Sequence, residues 1–252
     1  MNDIKVACPS AVSVHNEHGR SKIVLVCEHA SSQMPAEFDG LGLPRSKLKE
    51  HIAWDIGALQ VAKRLADLLD APLVHANVSR LILDINREPG HRGSIPEMSE
   101  STEILANKGL SAAARSARVR SIYEPFHETL ASVVGRRRFD GGPWVISIHS
   151  YTPIYKGFER PWHVGILHNE DMRLSTKLLT ALKQDESLIV GDNEPYAPSD
   201  GVYHTIERHT ASAGYVGAMV EIRNDLIHDA TGQSDWAARF HRILMECMQL
   251  KT

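Results

Sequence analysis

The chain has 252 residues, of which 42% are hydrophobic and 23% charged, and its formal net charge is −3. This length fits one large domain or two small ones, and the near-neutral charge argues against a nucleic-acid-binding protein. No apolar stretch approaches the roughly 18 residues of a membrane helix, and the N-terminus lacks the apolar core of a signal peptide. We therefore expect a cytoplasmic protein with neither nucleic acid nor membrane as a partner.

Short runs rich in valine and isoleucine predict buried strands. They cover residues 23–27, 73–78, 81–85, 144–149, 164–167, 188–190 and 216–222. Apolar residues at helical spacing predict four helices. These cover residues 55–69 with Asp55 as the N-cap, 111–134 with a break or kink at Pro125, 171–184, and 234–250.

This order of elements predicts an α/β fold with a mixed, mainly parallel sheet and helices on both faces. Because we find no repeat and no linker, we interpret residues 1–252 as a single domain. The stretches 88–96, 153–161 and 193–201 contain proline and glycine and are expected to be long loops, which are often functional in a compact domain.

Cysteine and histidine usage bears on the kind of site to expect. The three cysteines, Cys8, Cys27 and Cys247, are widely spaced, which argues against a disulfide framework and against a thiolate zinc site. The 14 histidines are of more interest, because histidine is the commonest metal ligand and proton carrier near neutral pH.

Three predicted strands run directly into ionisable residues. The first ends at Glu28 and His29, a middle strand at His149, and the last at Glu221. Ligands of open α/β sheets bind at the carboxyl ends of strands, so these side chains are expected to meet at one edge. Two imidazoles and a carboxylate from distant strands are typical of a hydrolytic metal site.

A second polar segment, residues 79–87, contains Arg80, Asp84 and Arg87. Arginine binds carboxylates through paired N–H groups, so either arginine is a candidate to grip an anionic substrate. Equally open is a salt bridge from Asp84 to one of them at the rim of the sheet. The chain has no nucleophile elbow, P-loop, dinucleotide fingerprint or H-E-x-x-H helix, so any metal site must be assembled from distant segments.

Five motifs, spread in order over residues 24–226, resemble those of the N-formylglutamate amidohydrolase family. They are Glu28-His29-Ala30-Ser31, Trp54-Asp55-Ile56-Gly57, Ser79-Arg80 with Asp84-Ile85-Asn86-Arg87, Ile148-His149-Ser150, and Val220-Glu221-Ile222-Arg223-Asn224-Asp225. The family is similar in fold to zinc carboxypeptidases and aspartoacylases. The resemblance therefore implies a three-layer α/β/α domain with one zinc ion at the edge of its sheet.

The resemblance also implies site roles. It implies His29 and His149 as zinc ligands, Glu221 as the general base, Arg80 as the group that polarises the scissile carbonyl, and Asn86 and Arg87 as the substrate-carboxylate clamp. Tyr196, His204 and Arg223 are further substrate-binding candidates, although His204 is equally open to interpretation as a polar cap. The remaining histidines, among them His51, His127 and His209, are interpreted as structural or surface residues.

The second zinc ligand has two candidates in the sequence. Zinc carboxypeptidases place a glutamate three residues after the first histidine, where this chain has Ser32. Asp55 is our choice of ligand, and Glu28 is the alternative. Neighbours in an extended strand point to opposite faces, so Glu28 and His29 should not both reach one ion.

Three hypotheses follow. In the first, the chain is a zinc-dependent amidohydrolase that converts N-formyl-L-glutamate, a small anionic N-acyl amino acid, to formate and L-glutamate. In the second, the same site cleaves another N-acyl amino acid or a small peptide. In the third, the chain is a binding protein that retains the fold without turnover.

Overall fold

Seven strands of the computed structural model, which describes residues 10–249, form one mixed sheet. In chain order the strands are β1 (Val12–His15), β2 (Ile23–Cys27), β3 (Leu73–Ala76), β4 (Met98–Ser99), β5 (Thr102–Glu103), β6 (Trp144–Tyr151), β7 (Ile154–Tyr155), β8 (Phe158–Glu159), β9 (Val164–Leu167), β10 (Val190–Asp192) and β11 (Val216–Arg223). The large sheet has the order β1-β3-β2-β6-β11-β9-β10, and β4–β5 and β7–β8 form two separate hairpins.

The centre of the sheet is parallel. Strands β3, β2, β6 and β11 run in the same direction, whereas β1 is antiparallel to β3. On the other side, β9 is antiparallel to β11 and pairs in parallel with β10. The carboxyl ends of β2, β6 and β11 therefore lie together in the middle of one edge.

Helices cover both faces of the sheet. They are α1 (Ala58–Leu69), α2 (Ala112–Arg118), α3 (Glu124–Gly135), α4 (Ser175–Leu182), α5 (His204–Thr210) and α6 (Ala230–Gln249). Helices α1, α4 and α6 pack together over one face, and α3 and α5 pack over the other. None of these described helices combines the length and the apolar character needed to cross a bilayer.

Alternation along the central strands supplies the two apolar cores. In β2, Ile23 and Leu25 belong to the core under α1 and α6, and Val24 and Val26 to the core under α3, because successive side chains of a strand point to opposite faces. The predicted fold class, an α/β fold with a mixed, mainly parallel sheet between helices, is confirmed.

The predicted strand over residues 81–85 is wrong. The segment is a run of turns, because local polar groups satisfy its backbone in place of a neighbouring strand. Ser79 Oγ accepts from the Leu81 amide, and Asp84 Oδ1 accepts from the Asn86 amide, which is how short polar side chains compete with regular structure. Its apolar residues, Leu81 to Leu83, are nevertheless buried.

Other elements differ at their ends. The strand predicted over 188–190 is found at Val190–Asp192, and β1 was not predicted. Helix α4 is shorter than residues 171–184, and α6 begins four residues before 234. The predicted end at Leu250 lies outside the described residues.

Pro125 does not interrupt its helical region as predicted. A π-helical turn, Val119–Tyr123, joins α2 to α3, and Pro125 lies in the first turn of α3. Proline has no N–H to bond the preceding helical turn, and the π-helical distortion lies directly before it, so the helical backbone continues through Tyr123 and Glu124. Among the described cysteines, Cys27 and Cys247 are free and buried, whereas Cys8 lies outside the described residues.

Candidate metal centre and active-site cavity

A cavity of about 270 Å³ opens at the carboxyl ends of the central strands. His29 follows β2, His149 lies near the end of β6, and Glu221 lies directly opposite His149 on β11. Asp55 joins them from the turn before α1, where its amide donates to the His29 carbonyl at 2.8 Å. All four residues line the cavity and are at least 95% buried.

Three of these side chains converge on a small volume. Asp55 Oδ2 lies 2.7 Å from His149 Nδ1 and 3.4 Å from His29 Nδ1. One potential ligand atom from each of the three lies within 4.8 Å of the other two. The predicted N-cap role of Asp55 is wrong, because α1 begins at Ala58 and its N-cap is Gly57. The carboxylate of Asp55 instead points to the two imidazoles.

The outward nitrogens of both imidazoles face carboxylates. His29 Nε2 lies 2.7 Å from Asp84 Oδ1, and His149 Nε2 lies 3.1 Å from Glu28 Oε2. Metal-binding histidines usually present their second nitrogen to such a carboxylate, which fixes the ring and leaves the first nitrogen free to bind. Glu28 thus contacts the Nε2 side of the His149 ring and is not part of the group formed by His29, Asp55 and His149.

The residues present fit a divalent metal ion. His29 Nδ1 is buried and makes no hydrogen bond with any described residue, although it faces the Asp55 carboxylate. A buried imidazole nitrogen without a partner is costly unless something binds it. Two imidazole nitrogens and a carboxylate oxygen are a donor set that zinc accepts, with a further position for water or substrate.

Electrostatic interactions keep the surrounding carboxylates ionised. Burial acts to raise the pKa of Glu28, but His149 and the Ser147 hydroxyl hold it at about 2. Burial likewise opposes ionisation of Asp84, yet His29 and Arg80 hold its pKa well below the usual range. Negative charge is therefore available on both sides of the two imidazoles, as a bound cation requires.

Glu221 differs from these carboxylates. Burial, together with the charge of Asp55, raises its pKa to about 7 against the opposing effect of His149. Its Oε2 atom is buried and has no hydrogen-bond partner among the described residues. A carboxyl group with a pKa near neutrality and a free oxygen is suited to accept and return a proton.

The salt-bridge interpretation of Arg80 is confirmed, and its contact with a substrate stays a prediction. Its guanidinium forms a salt bridge with Asp84 at 2.9 Å and approaches Asp55 Oδ1 at 3.4 Å, and its side chain remains 24% exposed in the cavity. The salt bridge fixes the cation beside the three converging side chains. Arg80 therefore presents a held positive charge to anything bound there.

Asn86 and Arg87 also line the cavity. Asn86 is buried, donates one amide hydrogen to the Val202 carbonyl and accepts from the Thr205 amide at 2.9 Å. Arg87 donates to the Asp200 carbonyl. An amide group has two N–H donors and a guanidinium has five, so both residues keep donors for a ligand.

The structure places the three remaining candidates differently. Tyr196 lines the cavity. His204 does not, and its ring Nε2 instead pairs with the Tyr123 hydroxyl at 2.6 Å. Arg223 is also outside the cavity lining, ion-paired with Asp225 at 2.8 Å. Direct contact of His204 or Arg223 with a ligand in this cavity is therefore not supported.

Other residues of the site were missed in the sequence. His51 lines the cavity 3.7 Å from Asp55 Oδ1, and Tyr155 forms part of another wall. Both come from irregular segments or a short hairpin, where no periodic pattern marks a side chain as facing the site. Glu28 had a signal, since it precedes His29 at the end of an apolar strand, but its contact with His149 depends on the tertiary fold.

Comparison with known proteins gives consistent matches. The family model described as N-formylglutamate amidohydrolase matches residues 21–228. The crystal structure of gene product Atu2144 from Agrobacterium tumefaciens is 39% identical, with a TM-score of 0.92 and 95% of each chain covered. That of N-formylglutamate amidohydrolase from Ralstonia eutropha JMP134 is 18% identical, with a TM-score of 0.73, 95% of this chain and 99% of that chain covered. The search of curated proteins gives no match.

Proposed function

The chain belongs to the N-formylglutamate amidohydrolase family, and we propose that it uses zinc to hydrolyse the amide bond of a small anionic N-acyl amino acid. The proposed substrate is N-formyl-L-glutamate, and the products are formate and L-glutamate. The observation that carries the proposal is the convergence of His29, Asp55 and His149 beside Glu221 in one cavity.

His29, Asp55 and His149 would hold the metal ion, and Asp84 and Glu28 would orient the two imidazoles. When bound, the ion supplies a Lewis acid that polarises the acyl oxygen and acidifies the attacking water. The residues that bind the substrate in this cavity would place its acyl carbon beside the attacking water, so that the groups react from positions already held.

Glu221 moves the proton. It accepts the proton from the water that attacks the acyl carbon and delivers it to the nitrogen of the leaving amine. Burial raises the pKa of Glu221 and the positive charge of a bound ion would lower it, and a carboxyl group whose pKa lies near the working pH is effective as acid and as base.

Arg80 stabilises the negative charge that develops on the acyl oxygen. Its salt bridge with Asp84 holds it in place before the reaction, so no reorganisation is needed as charge forms. Loss of one such donor typically lowers the rate by roughly 10²–10³-fold. Arg87 binds a substrate carboxylate through its remaining N–H donors, and the second amide hydrogen of Asn86 contributes to the same contact.

Glu221→Gln tests the proposal. The glutamine keeps the size of the side chain but cannot accept the proton, so we expect zinc to remain bound while formate release from N-formyl-L-glutamate falls by at least about 10²-fold. Formate is measured with a coupled assay and zinc by elemental analysis. A chelator should abolish wild-type activity, and added zinc should restore it.

Glu186→Gln is the matched control, since Glu186 is exposed and outside the cavity lining. An unchanged rate in Glu221→Gln would exclude Glu221 as the base. A well-folded wild-type protein that binds zinc but releases no product would instead favour a binding protein that retains the fold.

A further inference from the structure

Arg160 is a buried cation without a carboxylate partner. It lies directly after β8 and is 5% exposed, and no described carboxylate lies within 4.0 Å of its guanidinium nitrogens. A buried charge normally has a paired countercharge, because removing it from water is costly. Arg160 is not part of the cavity lining, so its effect on the site must pass through its neighbours.

Three tyrosine rings surround the guanidinium. Its central carbon lies 4.6 Å from the ring centre of Tyr155, 4.8 Å from that of Tyr196 and 5.4 Å from that of Tyr151. Aromatic faces attract cations at such distances, and this offsets part of the cost of burial. Tyr155 and Tyr196 are also walls of the cavity, so the cation lies immediately behind the site.

A hydrogen bond from Arg160 fixes the direction of the Tyr196 hydroxyl. Arg160 Nη2 donates to Tyr196 Oη at 3.0 Å. A guanidinium has only donors, so the Tyr196 oxygen is the acceptor and its own hydrogen is left over. Among the described residues this hydroxyl donates to no acceptor, and the phenol lines the cavity.

The hydroxyl also keeps its hydrogen at neutral pH. Burial and the charge of Glu221 raise the pKa of Tyr196 to about 12, against the opposing effect of Arg160. A phenol whose oxygen accepts from a cation is a stronger donor than an isolated one, since hydrogen bonds in a chain polarise one another. Within residues 10–249, the Tyr196 hydroxyl is thus a polarised donor without an acceptor, and Arg160 is a cation without a paired carboxylate.

We propose that Tyr196, positioned and polarised by Arg160, is a second anion-recognition point that binds the side-chain carboxylate of the substrate. Arg87, with Asn86, holds the α-carboxylate at the other point. His204, the histidine candidate for substrate binding, lies outside the cavity lining. This inference rests on the proposed function, and it makes an N-acyl amino acid with an acidic side chain the preferred substrate class.

The test compares three substrates of nearly equal shape. N-formylglutamate is assayed beside its γ-amide, N-formylglutamine, and its α-amide, N-formylisoglutamine, with the zinc-loaded enzyme. The wild type should prefer N-formylglutamate over the γ-amide by about tenfold or more in kcat/KM, because a charge-assisted hydrogen bond is lost with the amide. Arg160→Gln and Tyr196→Phe should each abolish most of this preference, mainly through KM.

The controls separate recognition from damage to the fold. The preference over the α-amide should persist in both variants and be lost in Arg87→Gln. The double variant, Arg160→Gln with Tyr196→Phe, should lose no more of the preference for N-formylglutamate over its γ-amide than either single variant. Arg160→Lys should retain part of this preference because the charge remains. Arg173→Gln, which alters an exposed arginine paired with Asp171, should behave like the wild type. Tyr196→Phe removes only a hydroxyl, so it decides the question if Arg160→Gln does not fold.

Binding to zinc-loaded Glu221→Gln, measured by calorimetry, gives the same comparison without turnover. If the wild type hydrolyses none of the three compounds, the proposed hydrolysis is wrong, while the ratio of dissociation constants still tests the role of Arg160. The inference is overturned if Tyr196→Phe keeps the preference for N-formylglutamate over its γ-amide. It is also overturned if the variant lowers kcat/KM equally for these two substrates, or if it changes the preference over the α-amide instead.

Discussion

Each imidazole at the centre of the site is held between two carboxylates. Asp55 faces the Nδ1 atoms of both, Asp84 lies 2.7 Å from His29 Nε2, and Glu28 lies 3.1 Å from His149 Nε2. The two outer carboxylates have different additional contacts, since Asp84 also binds Arg80 and Glu28 binds the Ser147 hydroxyl. Removing the charge of Asp84 and removing that of Glu28 should therefore affect zinc binding and turnover differently.

We expect Asp84→Asn and Glu28→Gln each to weaken zinc binding by about 10–100-fold, the range typical for such supporting carboxylates. Asp84→Asn should also lower kcat of the zinc-saturated enzyme, because Arg80 loses its salt bridge. Glu28→Gln should affect kcat much less, because it does not touch Arg80. Zinc affinity is measured by competition with a chelator, and kcat at saturating zinc.

Asp185→Asn is a suitable control, because this carboxylate pairs with Arg239 on the surface, away from the cavity. Zinc affinities equal to that of the wild type in both Asp84→Asn and Glu28→Gln would show that these carboxylates do not support the metal site.

The strand ends were the part of the site most open to prediction. An apolar run that stops at a histidine or glutamate is visible in the sequence, and the parallel pairing of β2, β6 and β11 brings such ends together. The orientation of Asp55 was not visible. Its position before a helical pattern favours an N-cap, and the contacts of its carboxylate with His29 and His149 show that the side chain points into the site.

Residues in irregular segments were predicted least well. His204 and Arg223 were chosen for their positions in family-like segments, but local partners, Tyr123 and Asp225, engage them outside the cavity lining. Arg160 carried no pattern at all, because a short hairpin has no periodicity that distinguishes an inward from an outward side chain. Such contacts depend on tertiary packing, which neither spacing nor propensity encodes.

The turn that carries Asp55 into the site depends on Gly57. This glycine has φ of +82°, and a Cβ built on it would lie 2.2 Å from the Ile227 carbonyl oxygen. The turn before α1 thus packs directly against the segment after β11. The positive φ and this close contact each disfavour a side chain at residue 57. A side chain at Gly57 would therefore push the Asp55 turn away from the segment after β11.

Gly57→Ala should lower the free energy of unfolding by roughly 2–4 kcal/mol, the sum of a strained φ and an overpacked contact. It should also weaken zinc binding, because the Asp55 turn is displaced. Gly109→Ala is the matched control, since Gly109 has φ of +63° but nothing within 4 Å of its Cβ position, and should cost only about 1 kcal/mol. Equal losses in urea denaturation would mean that the contact with Ile227 is unimportant.

Across the whole molecule, a cluster of histidines joins helices α3 and α5, which cover the same face of the sheet. His127, on α3, lies 3.0 Å from the Ile85 carbonyl through Nε2 and 2.9 Å from His209 Nε2 through Nδ1. These two bonds link α3, α5 and the segment before Asn86. Burial lowers the pKa of His127 to about 3, and the charges of His209 and His204 add to that effect.

This lowered pKa predicts a loss of stability in acid. The folded state keeps His127 neutral, whereas the unfolded chain takes up a proton below about pH 6.5, so the stabilisation is complete above that pH and declines as the pH falls towards 3. Between pH 7.5 and 5.5, His127 should account for about 1.4 kcal/mol of lost stability. His127→Gln should remove this share of the pH dependence, whatever its effect on the free energy of unfolding at pH 7.5.

Urea denaturation at both pH values measures the difference, with a chelator present so that zinc release does not contribute. His18→Gln, at an exposed histidine, is the control. A pH dependence as steep in His127→Gln as in the wild type would place the acid sensitivity in other groups.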